Sequence, residues 1–103
     1  MTKYPDNASG RCLCGAVRYE ITAAPLSVIF CHCESCRRHT GAPIVALAGY
    51  KADQVTYTKH TPRYFSSSEG VRRAFCGDCG TPLTWEGDGG DIGPMIEILV
   101  ATM

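Results

Sequence analysis

Residues 30–41, "FCHCESCRRHTG", place Cys31, Cys33 and Cys36 within six positions of one another. Two arginines and a histidine follow directly. Thiols at such short spacing are typical of metal sites, because thiolate sulfur is a preferred ligand of zinc. A closed tetrahedral zinc site needs four ligands, and this segment offers three cysteines. The segment therefore raises the question of where the chain keeps its other cysteines.

The chain has seven cysteines, and all of them are clustered. They occur as "CLC" at 12–14, "CHCESC" at 31–36 and "CGDC" at 76–79. A disulfide framework normally has an even number of cysteines and an oxidising compartment. Unpaired buried thiols pack like small hydrophobic side chains and would be scattered. Clustering therefore favours metal ligation, and zinc in particular.

The segment "CGDC" is a C-x-x-C zinc knuckle, whose tight turn directs both sulfurs to one ion. Gly77 and Gly80 are expected to adopt the left-handed backbone conformations that such turns use. "CLC" supplies two further sulfurs. Pairing the two segments predicts one closed, structural zinc site, which would join distant parts of the chain. Its ligands are Cys12, Cys14, Cys76 and Cys79.

The remaining cysteines are Cys31, Cys33 and Cys36. Three protein ligands with an open fourth position are the arrangement of a catalytic zinc, so two zinc ions are predicted. The main alternative is a second structural site closed by a histidine, and His39 lies near enough in sequence to reach it. A mixed pairing of the clusters, or one ion shared among all seven thiols, is also conceivable. The histidines of the chain are His32, His39 and His60.

The rest of the sequence predicts an all-β domain of short strands separated by Gly and Pro turns. A helix of one or two turns is expected only at 33–40. Aromatic residues Tyr64, Phe65 and Trp85 are expected in the core, and Arg72 and Arg73 on a solvated face. The predicted strands are 16–22, 26–30, 43–50, 54–58, 63–67, 71–75, 82–86 and 95–101.

Length and composition restrict the class of protein. A chain of 103 residues is expected to form one domain, spanning 1–103. Ten basic residues balance ten acidic ones, which argues against a nucleic-acid partner. The polar N-terminus lacks the apolar core of a signal peptide, and no stretch approaches a membrane span. A cytoplasmic protein without a membrane partner is therefore expected.

Three blocks of the sequence resemble the signature blocks of the glutathione-dependent formaldehyde-activating enzyme family, which includes the centromere protein V-like proteins. The blocks are "GRCLCGAVRYEI" (10–21), "FCHCESCRRHTGAP" (30–43) and "FCGDCGTPLTW" (75–85). The resemblance implies a β-tent fold of small antiparallel sheets with zinc sites at their seams. It implies a structural zinc on the first set of four cysteines and a catalytic zinc on Cys31, Cys33 and Cys36.

The family activity implied is the reversible joining of formaldehyde to glutathione, which forms S-hydroxymethylglutathione, a carbon–sulfur lyase reaction. Family members usually continue past the last strand, whereas this chain stops at "ILVATM" (98–103). Substrate contacts from that segment would be missing or would come from a second subunit, so an oligomer is possible. The alternative function is a binding module with two structural zinc ions and no turnover.

The expected chemistry is the holding of a substrate thiol as thiolate on zinc, because coordination displaces the thiol proton. Three cysteine thiolates leave the ion a weak Lewis acid, which disfavours polarisation of the aldehyde oxygen. Arg37 and Arg38 are candidates to bind the carboxylates of glutathione. The alternatives for these two arginines are donation to the cysteine sulfurs and a solvated position. His39 is a conceivable proton shuttle, although a surface or capping role is the more ordinary interpretation.

Overall fold

The computed structural model describes residues 4–103, which form two antiparallel β-sheets, one short α-helix and three short 3₁₀ helices. The smaller sheet has the strand order β1-β2-β5, and the larger has the order β3-β4-β9-β8-β7-β6. The predicted all-β class is confirmed. The strands are β1 (Ala8–Arg11), β2 (Arg18–Ile21), β3 (Ser27–Cys31), β4 (Val45–Lys51), β5 (Val55–Tyr57), β6 (Arg63–Ser68), β7 (Val71–Phe75), β8 (Pro82–Asp88) and β9 (Pro94–Leu99).

Most strands lie within or close to the ranges that the sequence predicted. β1 was not predicted, because its sequence "ASGR" contains only one apolar side chain. β9 ends earlier than expected and continues as the 3₁₀ helix Val100–Thr102. The helix α1 spans Glu34–Thr40, within the predicted 33–40.

Local sequence explains where α1 begins and ends. The Cys33 side chain accepts a hydrogen bond from the Cys36 backbone N–H, as an N-cap residue does. Glu34 lies in the first turn and basic residues in the last, which complements the helix dipole. Gly41 closes the helix by donating its N–H to the Arg37 carbonyl (2.7 Å). A capped helix of seven residues is thus fixed directly after β3.

The main core lies between the two sheets. β2 alternates between buried and exposed side chains, with Tyr19 and Ile21 buried and Arg18 and Glu20 exposed. Ile96 and Ile98 of β9 are buried in the same apolar cluster. Full burial of a large aliphatic side chain contributes ~1.5–3 kcal/mol. Packing of the small sheet onto the large one therefore brings the β1–β2 hairpin close to the turn between β7 and β8.

A second, smaller apolar cluster lies where α1 meets the larger sheet. Its buried members are Cys36, Val45, Leu47 and Leu99. The helix therefore lies at the β3 edge of the sheet, directly after the strand that carries Cys31.

The prediction that the aromatic residues belong to the core is wrong for β6. Tyr64 is 38% exposed and Phe65 is 64% exposed, because β6 is the edge strand of the larger sheet. Trp85 is half-buried. No helix within residues 4–103 has the length and apolar character needed to cross a bilayer.

Candidate metal centres

The first group of cysteines joins the two sheets. Cys12 and Cys14 lie in the β1–β2 turn, and Cys76 and Cys79 lie in the β7–β8 turn. Their sulfur atoms all lie within 4.8 Å of one another. Cys14 Sγ is 3.6 Å from Cys12 Sγ and 3.7 Å from Cys76 Sγ. Ligands ~2.3 Å from a tetrahedral zinc are ~3.8 Å apart, so this four-cysteine cluster fits the ion.

Backbone N–H groups orient the buried sulfurs of the four-cysteine cluster. Val17 N–H donates to Cys12 Sγ (3.3 Å). Asp78 and Cys79 N–H both donate to Cys76 Sγ, each at 3.4 Å. Such bonds fix the direction in which a metal-ligating sulfur points. The two turns are therefore preorganised to present sulfur toward one point.

The glycine prediction for this cluster is half right. Gly80 has a φ of 80°, and its N–H donates to the Cys76 carbonyl, so the turn needs the left-handed conformation there. Gly77 has no positive φ. Its role is a close approach instead, because a Cβ at Gly77 would lie 2.7 Å from Cδ of Arg63.

The second group of cysteines lies within one short segment at the edge of the larger sheet. Cys31 is the last residue of β3, Cys33 is the N-cap of α1, and Cys36 lies within the helix. Cys31 Sγ is 3.5 Å from Cys33 Sγ and 3.1 Å from Cys36 Sγ. This three-cysteine cluster is compact enough for all three sulfurs to reach one zinc at ~2.3 Å.

No histidine joins the three-cysteine cluster among residues 4–103, since only its three sulfurs lie within 4.8 Å of one another. His32 and His60 are exposed, and His39 is half-buried near the end of α1. The geometry also keeps the two clusters separate, without mixed pairing. Of the arrangements that the sequence left open, the geometry favours one four-sulfur group and one three-sulfur group.

The sulfurs of the three-cysteine cluster differ in their surroundings. Cys33 is exposed, and its hydrogen bond from the Cys36 backbone N–H, with the neighbouring thiols, lowers its pKa to about 7. Cys36 is 5% exposed, and burial raises its pKa to about 11 although the charge of Arg73 acts in the opposite direction. The cluster is thus open to solvent on the Cys33 side and closed on the Cys36 side.

Arg73 is a neighbour of this cluster that the sequence did not identify. The prediction of a solvated face holds for the exposed Arg72, which pairs with Glu86 (3.0 Å), but it is wrong for Arg73. Arg73 is only 7% exposed, and its Nη1 donates to Cys36 Sγ (3.5 Å). Alternation along "VRRAF" places Arg72 and Arg73 on opposite faces of β7. The alternation along β7 can be read from the sequence. The sequence does not show that α1 lies over the face that carries Arg73.

The two arginines proposed for substrate lie on the exposed surface of α1. Arg38 forms an ion pair with Glu34 one turn earlier, with Nη2 to Oε1 at 2.8 Å. Arg37 is exposed and has no ion pair among the described residues. In His39 the Nε2 atom is buried without a hydrogen-bond partner among residues 4–103. Burial, and then the charge of Arg73, lowers the pKa of His39.

The sequence of this chain matches that of a known protein family. Residues 7–103 match the family model described as "Glutathione-dependent formaldehyde-activating enzyme". The chain belongs to this family. A protein of Schizosaccharomyces pombe named an uncharacterized lyase is 34% identical over 74 residues, which are 72% of this chain and 53% of that protein.

The fold of this chain is also found in a solved structure. A crystal structure of a Rhodobacter sphaeroides protein aligns with a TM-score of 0.73 at 21% identity, covering 93% of this chain and 87% of that one. At this identity the likeness shows the fold alone. The chain spans about half the length of the curated relative that it matches.

Proposed function

We propose that the protein is a zinc-dependent carbon–sulfur lyase that joins formaldehyde, or a related aldehyde, reversibly to glutathione or a similar thiol. Membership of the formaldehyde-activating family and the likeness to a protein named as a lyase support the reaction class. The observation that carries the proposal is the three-cysteine cluster, with three convergent sulfurs and an exposed side at Cys33.

The two clusters would hold zinc for different purposes. Four sulfurs complete a tetrahedron, so the four-cysteine cluster would hold a structural ion. Three sulfurs leave one position for a substrate thiol. When bound there, zinc would supply the charge that keeps such a thiol deprotonated near neutral pH.

The chain's own residues would then position the reactants. Cys31, Cys33 and Cys36 define where the substrate sulfur lies, and the open side at Cys33 admits the aldehyde. In the forward direction the thiol gives up its proton, a sulfur–carbon bond forms, the carbonyl π bond opens, and the former carbonyl oxygen takes up one proton in exchange. Arg37 and Arg38, on the turn of α1 that follows Cys36, would bind the carboxylates of glutathione, as guanidinium groups do.

The binding test compares three ligands by calorimetry on the zinc-loaded protein. Glutathione should bind, whereas S-methylglutathione and oxidised glutathione should bind much more weakly, since they keep the carboxylates but lack the thiol. Cys33→Ser should abolish the preference for the free thiol. Equal binding of glutathione and S-methylglutathione would show that sulfur is not the anchor.

The turnover test measures exchange between ¹³C-formaldehyde and its glutathione adduct by NMR. The protein should accelerate the exchange over the uncatalysed reaction, and Cys33→Ser should remove the acceleration. Thiol-selective binding without any acceleration would favour the alternative, a zinc-stabilised binding module. Acceleration with other thiols but not with glutathione would keep the reaction class and replace the substrate.

A further inference from the structure

Arg73 is a buried cation next to the three-cysteine cluster. A guanidinium remains protonated at any pH relevant to proteins, and burying a charge without a partner is costly. The ion pairs within residues 4–103 are Arg38–Glu34 and Arg72–Glu86, and neither includes Arg73. Its position therefore requires another source of negative charge.

The hydrogen bonds of Arg73 identify that source. Nε donates to Ser67 Oγ (3.1 Å), which is neutral, and Nη1 donates to Cys36 Sγ (3.5 Å). Glu97 lies on the same face of the sheet, two strands away, because Trp85 pairs with both residues. The charge of Arg73 acts on the carboxylate of Glu97, but the two form no ion pair within 4.0 Å. The Cys36 sulfur is thus the group within hydrogen-bond distance that can carry negative charge.

We propose that Arg73 is the counter-ion and positioning residue of the three-cysteine centre, with Ser67 fixing its guanidinium so that Nη1 holds the Cys36 sulfur in place. This inference rests on the proposed metal-holding role of the cluster. A divalent ion with three thiolates has a net charge of −1, and a substrate thiolate would make it −2. The charge of Arg73 offsets one unit, so the centre can accept a fourth anionic sulfur.

The first experiment measures metal affinity without any substrate. Cobalt(II) is titrated into the apo three-cysteine site of the otherwise zinc-loaded protein, and the sulfur-to-cobalt charge-transfer band reports occupancy. Loss of a group that supports metal ligands typically costs ~10–100-fold in metal affinity, and Arg73→Met should fall in this range. Arg72→Met is the matched control, because it removes an arginine from the neighbouring position of the same strand, and it should leave the affinity unchanged.

Further variants separate positioning from simple packing. Arg73→Lys keeps the charge and should recover part of the affinity. Ser67→Ala leaves Arg73 present but releases its Nε, so it should shift the charge-transfer band and weaken cobalt binding a few-fold. If Arg73→Met changes the melting temperature but neither the affinity nor the band, the residue is merely structural and the proposal is wrong. If Arg73→Met does not fold, Ser67→Ala decides, and an unchanged band and affinity would overturn the proposal.

A final arm separates this inference from the proposed function. Glutathione is added to the cobalt-saturated wild-type protein and to cobalt-saturated Arg73→Met, which lacks the charge, and the ligand-field bands are followed. Wild-type bands should change, and the variant should need a higher glutathione concentration for the same change. If wild-type bands do not respond, thiol coordination fails as the function, whereas the cobalt affinities still test Arg73. If both proteins respond at equal concentration, the counter-ion role toward the fourth sulfur is wrong.

Discussion

The four-cysteine cluster joins two sheets. The three-cysteine cluster lies within one short segment, whose local fold we expect to persist without a metal. Cys14 and Cys76 are 62 positions apart, and Cys31 and Cys36 are five apart. A cross-link that closes a long loop removes more entropy from the unfolded chain than one that closes a short loop. An ion in the four-cysteine cluster would therefore stabilise the fold more than an ion in the three-cysteine cluster.

The clusters also differ in what supports them. The four-cysteine cluster has two fully buried sulfurs, each held by backbone N–H groups. The three-cysteine cluster has one buried sulfur, at Cys36, which is held by the side chain of Arg73. A guanidinium brings a full positive charge to the sulfur, which can offset an added anionic ligand, whereas backbone N–H groups bring none. This difference is the one expected between a site that binds permanently and a site that exchanges a ligand.

The largest expected effect compares two exposed cysteines, one from each cluster. Cys14→Ser should prevent stable folding, because structural zinc contributes ~10–16 kcal/mol of apparent binding energy against a net stability of ~5–15 kcal/mol. Cys33→Ser should give a folded protein with one zinc fewer. Circular dichroism melts and elemental analysis measure both effects.

Since Cys14 and Cys33 are both exposed, the two substitutions remove little packing, and the comparison isolates the role of the metal. Equal destabilisation by both changes would mean that both clusters are structural. Equal tolerance would mean that neither cluster supports the fold.

The second expected effect is the order of metal loss. Zinc should leave the three-cysteine cluster first on addition of a chelator, because its Cys33 side is open to solvent. The fold should persist through this first step and be lost in the second. A chromophoric chelator follows release while near-ultraviolet circular dichroism follows the fold. Simultaneous release and unfolding would contradict the distinction between the two clusters.

Much of this arrangement follows from local sequence. The knuckle "CGDC", the clustering of the cysteines and the short strand-like segments between Gly and Pro turns are local features. They predicted the all-β class and the cysteine groups that the structure brings together, and the segment 33–40 was predicted as the one short helix. β1 escaped prediction because its stability comes from pairing with β2 rather than from its own apolar residues.

Features that depend on sheet order could not be predicted in the same way. The sequence gives no sign that β6 is an edge strand, so Phe65 was expected in the core. It also does not show that α1 packs over the face of the sheet that carries Arg73. Strand order is set by long-range packing, and local patterns do not report it.

The third expected effect concerns the arginines of α1. Arg37→Ala should weaken glutathione binding about fivefold, the size expected for an exposed charge contact of ~1 kcal/mol. Arg38→Ala should have a smaller effect, because Arg38 already pairs with Glu34. Calorimetry on the two variants makes the comparison, and Glu34→Gln, which frees Arg38, should strengthen its contribution. Unchanged affinity in the double variant would place both arginines outside the substrate site.

The smallest expected effect is a pH dependence that originates beside the three-cysteine cluster. Burial lowers the pKa of His39 in the folded protein below its ordinary value of 6.5. As the pH falls through about 6.5, the unfolded chain takes up a proton that the folded chain does not, so stability decreases. His39→Leu removes the proton uptake at this position. It also removes the buried Nε2 atom, which lacks a hydrogen-bond partner among the described residues. The melting temperature of the variant, with zinc in excess, should therefore fall less than that of wild type between pH 7.5 and pH 5.5.

His60→Leu is the control, because His60 is exposed and its replacement should leave the wild-type slope. A slope unchanged by His39→Leu would assign the acid sensitivity to the cysteine ligands instead, since metal binding also weakens when thiolates are protonated.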